Sequence, residues 1–165
     1  MKKIVNTNNG KFNYRVAGLL IQNNKVLLQR AEIDDFWTLP GGEINFFETF
    51  EQAIEREIME EIQVKVKVER IVWLLENFFE YHNEKYHSIE VCLLLTPLDS
   101  EDKIGKDEFY GIEEYYLPEK YGKLKLIFKW MPIDELDNLN LKPKKLKQEL
   151  KTIPKTIKHI QNMDI

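Results

Sequence analysis

The sequence has a single cysteine and no apolar run long enough to cross a membrane. Cys92 lies within the apolar run Val91–Leu95 and is interpreted as a buried small hydrophobe. One cysteine supports neither a disulfide framework nor a cysteine-based zinc site. A membrane span needs about 20 apolar residues. No apolar run follows the N-terminal lysines, so we predict no signal peptide and expect the chain in the cytoplasm.

The chain also lacks an excess of basic residues. It carries 24 lysines and arginines against 28 acids, a formal net charge of -4. This balance argues against binding nucleic acid along a broad face, because such binding depends on cationic side chains. It leaves an anionic small molecule open as a partner, since a bound metal ion inverts the local field. We therefore expect a small-molecule ligand, no nucleic acid and no membrane.

The length and composition predict one folded domain. The 165 residues are 43% hydrophobic and 12% aromatic, enough to form a core. We expect a single domain over residues 1–165, with a core at about 12–139 and a C-terminal helical tail at 140–165. The tail prediction rests on Pro143–Ile160, a lysine-rich segment with helical apolar spacing that Pro154 interrupts. The chain is expected to be a monomer or a homodimer.

Alternating apolar and β-branched residues predict most of the remaining elements to be strands. In chain order these are Phe12–Gln22, Lys25–Arg30, Trp37–Leu39, Val64–Val68 continued by Ile71–Phe79, Ser88–Pro97 and Lys123–Trp130. Tight turns are expected at 23–24 and 83–84. Pro132 is expected to open a short helix, Ile133–Leu139. Leu98–Gly122 shows no clean period and is interpreted as a long irregular loop.

The stretch 39–64 is the most informative part of the chain. A Gly-Gly pair precedes a predicted helix from about Glu48 to Ile62, in which apolar residues recur at 50, 54, 58 and 62. Glu57, Glu60 and Glu61 border this apolar stripe, and Arg56 is the only cation of the helix. Most surface helices mix charges of both signs. A divalent cation is the simplest way to compensate these acids.

The spacing Gly42-x5-Glu48-x7-Arg56-Glu57-Ile58-x-Glu60-Glu61-x-x-Val64 resembles the Nudix box of the Nudix (MutT-like) pyrophosphohydrolases. Eight of its nine fixed positions agree. The segments 37–42 and 130–136 also look like the usual lead-in and closing element of the family. Three positions depart from the usual pattern. Gln63 replaces the last glycine of the box, Phe47 replaces a common glycine, and Asn45 replaces a common acid.

The resemblance implies an α+β fold, an α/β/α sandwich in which a mixed β-sheet is flanked by helices and carries a loop-helix-loop. It implies hydrolysis of a diphosphate linkage by water attack on phosphorus, in a nucleoside triphosphate, a dinucleoside polyphosphate or a nucleotide sugar such as ADP-ribose. The implied cofactor is Mg²⁺ or Mn²⁺, held by Glu60 and Glu61 and by the carbonyl of Gly41. Glu57 would be a further ligand or would orient the water. Arg56 would hold a glutamate in place, either Glu60 or Glu48.

The residues that select the substrate are less well defined by the sequence. Many family members take a further acid from a later loop, and Glu108, Glu113 and Glu114 are the candidates here, although each alone is more typical of surface charge. Arg15 and Arg30 are candidate phosphate ligands, with a surface cation as the alternative. His82 and His87 flank the predicted hairpin tip, and a structural role is preferred for both.

Two other functions share the same fold. A non-catalytic nucleotide sensor would typically lack carboxylates of the box, whereas this chain keeps all three. A diphosphate isomerase would need a reactive cysteine, and Cys92 in an apolar strand is a poor candidate.

Overall fold

The computed structural model describes residues 5–98, 104–117 and 122–165, without the side chains of 112–117 and 122–124. Nine strands and three helical segments follow one another along these residues. The strands are β1 (Val5–Thr7), β2 (Gly10–Gln22), β3 (Lys25–Ala31), β4 (Gly41–Glu43), β5 (Val66–Tyr81), β6 (Glu84–Pro97), β7 (Glu108–Leu117), β8 (Gly122–Pro132) and β9 (Lys158–Asp164). The helical segments are α1 (Phe50–Ile62), a 3₁₀ helix (Ile133–Asn138) and α2 (Leu146–Glu149).

The strands form one mixed sheet in the order β7-β8-β3-β2-β6-β5-β9, and β1 and β4 both pair with β2. The β2–β6 and β5–β9 pairs are parallel, whereas the other pairs are antiparallel. This arrangement confirms the predicted mixed sheet. Asn23 and Asn24 both have positive φ in the β2–β3 turn, as do His82 and Asn83 in the β5–β6 turn. The first turn is therefore confirmed, and the second lies at 82–83, one residue earlier than predicted; both have the backbone twist that two-residue loops prefer.

Alternation along the central strands sends side chains into two separate cores. Val16 and Leu20 of β2 pack with Ile54 and Ile58 of α1 on one face of the sheet. Ala17 and Leu19 point the opposite way, into a second core that includes residues of the 3₁₀ helix and α2. Strand β6 contributes to both cores, as expected of its nearly continuous apolar sequence. Helices therefore cover both faces, which confirms the α/β/α sandwich.

Helix α1 begins two residues later than predicted. Thr49 is its N-cap: the Thr49 hydroxyl accepts from the Gln52 N–H at 3.2 Å, and the Gln52 side-chain oxygen accepts from the Thr49 N–H at 3.0 Å. This reciprocal capping box satisfies two backbone donors that the helix leaves open. Glu48 therefore precedes the helix and lies in the loop. In the described residues, no helix combines the length and apolar character needed to cross a membrane.

The predicted irregular loop Leu98–Gly122 is wrong for its second half. Residues 108–117 form strand β7, which pairs with β8. Residues 99–103 and 118–121 lie outside the described part. The register of β7 shifts between Tyr110 and Glu114, so residues on the two sides of the shift do not follow one alternation. This irregularity, together with three acids in 108–114, hides the strand from a search for period-two patterns.

The predicted helical tail is also wrong. Only Leu146–Glu149 is helical, and the chain ends in strand β9, which pairs in parallel with β5. The spacing of Leu146, Leu150 and Ile153 does place these side chains at the second core, but Pro154 prevents the helix from continuing. Strand β9 then pairs with the edge of β5, whose backbone groups need partners. Two smaller differences are that Trp37 and Thr38 make only isolated bridges and that Ile133–Asn138 is a 3₁₀ helix.

Candidate active site

Glycines bring the loop of the Gly-Gly pair close to both the sheet and helix α1. Gly41 has a φ of 149°, and a Cβ there would overlap the backbone of Val16 and Ala17 in β2. A Cβ at Gly42 would instead overlap the carboxylate of Glu57. The Glu57 carboxylate therefore occupies the space that the absent side chain of Gly42 leaves. This close approach explains why both positions need glycine.

Arg56 is the centre of a carboxylate network. Its guanidinium forms a two-pronged ion pair with Glu48, with Nε–Oε1 at 2.7 Å and Nη2–Oε2 at 2.8 Å. Nη1 donates to Glu57 at 2.7 Å and to Glu60 at 3.2 Å, while Nη2 also donates to the Glu43 carbonyl at 3.0 Å. Arg56 thus holds β4, the loop and the helix together. The sequence left Glu48 and Glu60 as alternative partners, and the structure shows both.

The ion pair with Arg56 lowers the pKa of Glu48 to about 2, and hydrogen bonding to Asn45 contributes in the same direction. The same pairing raises the pKa of Arg56 above its usual range. Both groups therefore stay charged at neutral pH. The guanidinium is already occupied by protein oxygens, as expected of a residue that positions the loop.

The acids that border the apolar stripe differ in exposure. Glu57 and Glu61 are buried, at 8% and 5% exposed, whereas the Glu60 side chain is 43% exposed. Glu48, Glu57 and Glu60 thus place three carboxylates around the single guanidinium of Arg56, and Glu61 adds a fourth on the same helix. Buried carboxylates are costly unless paired or bound to a metal. The cluster offers oxygen ligands, which hard divalent cations prefer, so its donor set fits Mg²⁺ or Mn²⁺.

The described residues contain no group of three His, Cys, Asp or Glu side chains already arranged to hold a metal ion. Arg56 Nη1 instead bonds to both Glu57 and Glu60, and it draws their oxygens towards itself. Glu60 is the more exposed of the two, with the longer bond to Arg56. It can therefore turn away at the smaller cost when a cation approaches.

Strand β7 passes beside the C-terminal half of α1. A Cβ at Gly111 would come within 3.2 Å of the Glu61 carbonyl and 2.8 Å of the Phe128 ring, so the strand packs closely there. Of the three acids predicted from this segment, Glu108 is exposed and pairs with Lys129 at 3.5 Å. The side chains of Glu113 and Glu114 lie outside the described part of the structure. A further acid from β7 therefore stays a prediction.

The two candidate phosphate ligands lie on strands β2 and β3, and their side chains alternate to the face of the sheet opposite α1. Arg15 follows the opposite alternation from Val16, which packs against the helix, and it pairs with Glu90 at 3.3 Å. Arg30 lies 5.2 Å from the Trp37 ring centroid and donates to the Asp34 carbonyl at 2.9 Å. Neither arginine has a described contact with the carboxylates around Arg56. Their role in substrate binding stays a prediction.

Two other residues considered from the sequence, His87 and Cys92, lie in environments typical of structural residues. His87 stacks on Phe78 with ring centroids 4.3 Å apart and meets Phe12 edge-on, consistent with a structural role. Cys92 is fully buried, and burial raises the pKa of its thiol. A thiol in this state is a poor nucleophile, which argues further against an isomerase.

Two backbone conformations in and beside the site do not follow from the residue types alone. One is the left-handed backbone of Phe47, with a φ of 64°. The other is Gln63, the C-cap of α1, which also adopts the left-handed conformation and donates its N–H to the Met59 carbonyl at 3.0 Å. The signal for both was the replacement of an expected glycine. The helix therefore ends with the left-handed cap that a glycine would also give.

Comparison with known proteins matches the NUDIX domain family to residues 12–154. An ADP-ribose pyrophosphatase of Methanocaldococcus jannaschii is 30% identical over 104 residues, which cover 59% of this chain and 60% of that protein. An 8-oxo-dGTP diphosphatase of Buchnera aphidicola is 25% identical over 134 residues, covering 79% and 85% respectively. The crystal structure of a MutT protein from Bacillus halodurans superposes with a TM-score of 0.56 at 16% identity, covering 92% of this chain and 90% of that one.

Proposed function

Because the chain belongs to the NUDIX domain family, we propose that it hydrolyses a diphosphate linkage in a nucleoside diphosphate derivative, using Mg²⁺ or Mn²⁺. The observation that carries this proposal is the arrangement of Glu48, Glu57 and Glu60 around Arg56, with buried Glu61 on the same helix. The names of the two relatives describe hydrolysis of this kind, which supports the same reaction class here. A nucleoside triphosphate, a dinucleoside polyphosphate and a nucleotide sugar all contain the bond concerned.

The proposed ligands for the metal are Glu57, Glu60 and Glu61, with the Gly41 carbonyl as a fourth. Bound there, the ion would offset the negative charge of the substrate and make a coordinated water more acidic. Water then attacks one phosphorus, the bridging P–O bond breaks, and the diphosphate derivative becomes two phosphorylated products. Glu57, which is buried against Gly42, would orient a water molecule if it is not itself a ligand.

The electrostatics support a requirement for the cation before the substrate binds. Arg56 neutralises one of the four carboxylates, and its five donors are largely committed to Glu48, Glu57, Glu60 and the Glu43 carbonyl. A polyphosphate approaching such a site would meet net negative charge. Among the described residues of this cluster, Arg56 is already paired, so a bound cation is the proposed source of further positive charge. In this account Arg56 positions the loop and helix and does not bind the substrate.

A nucleotide sensor on the same fold is the second candidate. It would keep the nucleotide-binding surface but would not need the metal-binding carboxylates. This chain retains Glu57, Glu60 and Glu61, buries Glu57 against Gly42 of the glycine loop, and also buries Glu61. Keeping buried charge without a chemical use is costly. The hydrolase is therefore the better supported of the two functions.

The first prediction concerns activity. Purified protein is assayed with Mg²⁺ or Mn²⁺ on a panel holding ADP-ribose, 8-oxo-dGTP, nucleoside triphosphates, dinucleoside polyphosphates and UDP-sugars. We expect turnover of at least one compound, and Glu61→Gln should lower its kcat/KM by about 100-fold or more, since it removes a proposed ligand of the ion that would stabilise the transition-state charge.

Glu55→Gln is the matched control for that assay, because Glu55 is an exposed carboxylate on the same helix. Its kcat/KM should stay within about twofold of wild type. Nucleotide binding without metal and without turnover of any compound would favour the sensor.

A further inference from the structure

We propose that Phe46 and Phe47 form a stacking platform for the base of the nucleotide substrate. The proposal rests on the proposed function for the nature of the ligand. It assigns the recognition of the base to the loop that precedes α1, a role that the carboxylate network does not supply.

The two rings are unusually exposed. Phe46 is 74% exposed and Phe47 is 92% exposed, the two highest values among the large hydrophobic residues that the structure describes. Their ring centroids are 4.3 Å apart and the ring planes are inclined by 60°. Exposed phenyl rings forgo the stabilisation that burial of apolar surface brings. A pair of them side by side therefore offers a ready surface for another planar group.

The backbone under Phe47 is strained. Its φ of 64° lies in the left-handed region, which bulky side chains rarely adopt. The other described non-glycine residues with positive φ are Asn23, Asn24, Gln63, His82 and Asn83, all of them polar. Glycine would adopt this conformation without strain. A phenyl ring at this position costs stability in the backbone and gains none from burial, a combination that is typical of functional sites.

The turn is fixed to the carboxylate network on both sides. The Glu48 N–H donates to the Asn45 carbonyl at 3.2 Å, and the Glu48 Oε2 accepts from the Asn45 N–H at 2.9 Å. Phe46 and Phe47 are the two central residues of this turn. Glu48 in turn holds Arg56, which bonds to Glu57. The turn that carries the rings is therefore bonded to the carboxylate network, and we infer that this short, closed segment of chain forms the rim of the proposed diphosphate site.

The size of the patch favours a base over a protein partner. Two phenylalanine side chains expose at most about 400 Å² between them, whereas a stable protein interface buries about 800 Å² on each partner. Base stacking needs only one exposed aromatic face and tolerates any base. A nucleotide whose diphosphate lies at the carboxylates has its base one sugar away, within reach of the rim.

Two substitutions of Phe47 test the proposal. Phe47→Gly removes the ring while keeping the backbone conformation, and Phe47→Tyr keeps the ring. On the best nucleotide substrate, we expect Phe47→Gly to raise KM about 10-fold with little change in kcat, since loss of one stacking contact weakens binding by this order. Phe47→Tyr should restore the wild-type KM. The inhibition constant of inorganic pyrophosphate, which has no base, should be equal in all three proteins.

Met163→Ala is the matched control, because Met163 is 70% exposed but lies on strand β9. Its KM should equal that of wild type. If Phe47→Gly turns over the substrate with an unchanged KM, the stacking proposal is overturned and the proposed function stays intact. The same holds if Phe47→Gly changes the oligomeric state, measured by sedimentation, while its KM is unchanged. Conversely, binding of a nucleoside diphosphate without turnover, weakened by Phe47→Gly, would support stacking while the hydrolase fails. A wild-type protein that neither binds nor cleaves any nucleotide would overturn both.

Discussion

Position 63 shows how a single residue can depart from a family pattern without changing the structure. A glycine is expected there, yet Gln63 takes the left-handed conformation that glycine would have taken. Its N–H still caps the helix on the Met59 carbonyl. The requirement at this position is a backbone conformation, and glycine is only the easiest residue that meets it. Phe47 meets the same kind of requirement.

The Glu48–Arg56 ion pair predicts how stability depends on pH. The pKa of Glu48 falls from its usual 4.5 to about 2 in the folded protein, chiefly through Arg56. A lowered pKa means that the folded state favours the ionised carboxylate. The contribution to the free energy of unfolding is therefore complete above about pH 4.5 and declines as the pH falls towards 2.

Glu48→Gln tests this dependence. At pH 7 we expect the substitution to lower the free energy of unfolding by about 2 kcal/mol, because it removes charge-assisted hydrogen bonds to a half-buried guanidinium. Urea titrations of both proteins at several pH values measure the difference, which should shrink steadily below pH 4.5. A difference between the two proteins that stays constant from pH 7 to pH 3 would contradict the assignment.

At the scale of elements, helix α1 was predictable because its sequence pattern and its packing agree. Four apolar residues recur once per turn, and Ile54, Ile58 and Ile62 are all buried. Only its first turn was misplaced, because Glu48 and Thr49 are both common near a helix start. The hydroxyl of Thr49 forms the cap, whereas the carboxylate of Glu48 is drawn to Arg56 eight residues later, a contact that local rules do not contain.

The tail was mispredicted because its decisive partner is distant in sequence. Helical spacing in 146–153 describes the local chain correctly, but residues 158–164 pair with strand β5, some 85 residues earlier. Within β9, Ile160 is 4% exposed and Asn162 donates to the Asn77 side-chain oxygen at 2.9 Å. Pairing of this kind depends on an edge that is free after the rest of the sheet has formed.

Ile160→Ala tests whether β9 is an integral strand. We expect the free energy of unfolding to fall by about 2–4 kcal/mol, because the substitution leaves a cavity in the second core. Met163→Ala in the same strand removes an exposed side chain and should cost less than about 0.5 kcal/mol. Denaturant unfolding of both variants gives the comparison. Equal, small losses in the two would mean that β9 does not contribute to the core.

At the scale of the whole molecule, the sequence was most informative where many positions act together. The box residues fix a loop, a helix and a network in one stretch of chain, so their spacing was enough to predict a candidate site there. It could not show that Arg56 bonds to three glutamates at once, because the Glu48 contact depends on how the loop folds back. It also could not place Arg15 and Arg30 relative to α1, since the face of a strand follows from its register in the sheet.

The most direct test of the proposed function is whether the carboxylate cluster binds a divalent cation. The molecule places three carboxylates around one guanidinium, with buried Glu61 on helix α1 nearby in sequence, and we propose that a divalent cation completes this cluster. The measurement is calorimetric titration of Mn²⁺ into the wild-type protein, Glu61→Gln and Glu55→Gln in the absence of nucleotide. We predict a saturable site in wild type and in Glu55→Gln, with affinity lowered at least about 10-fold in Glu61→Gln, because removing an oxygen ligand weakens a hard-cation site. Equal binding by all three proteins, or no binding by wild type, would contradict the account.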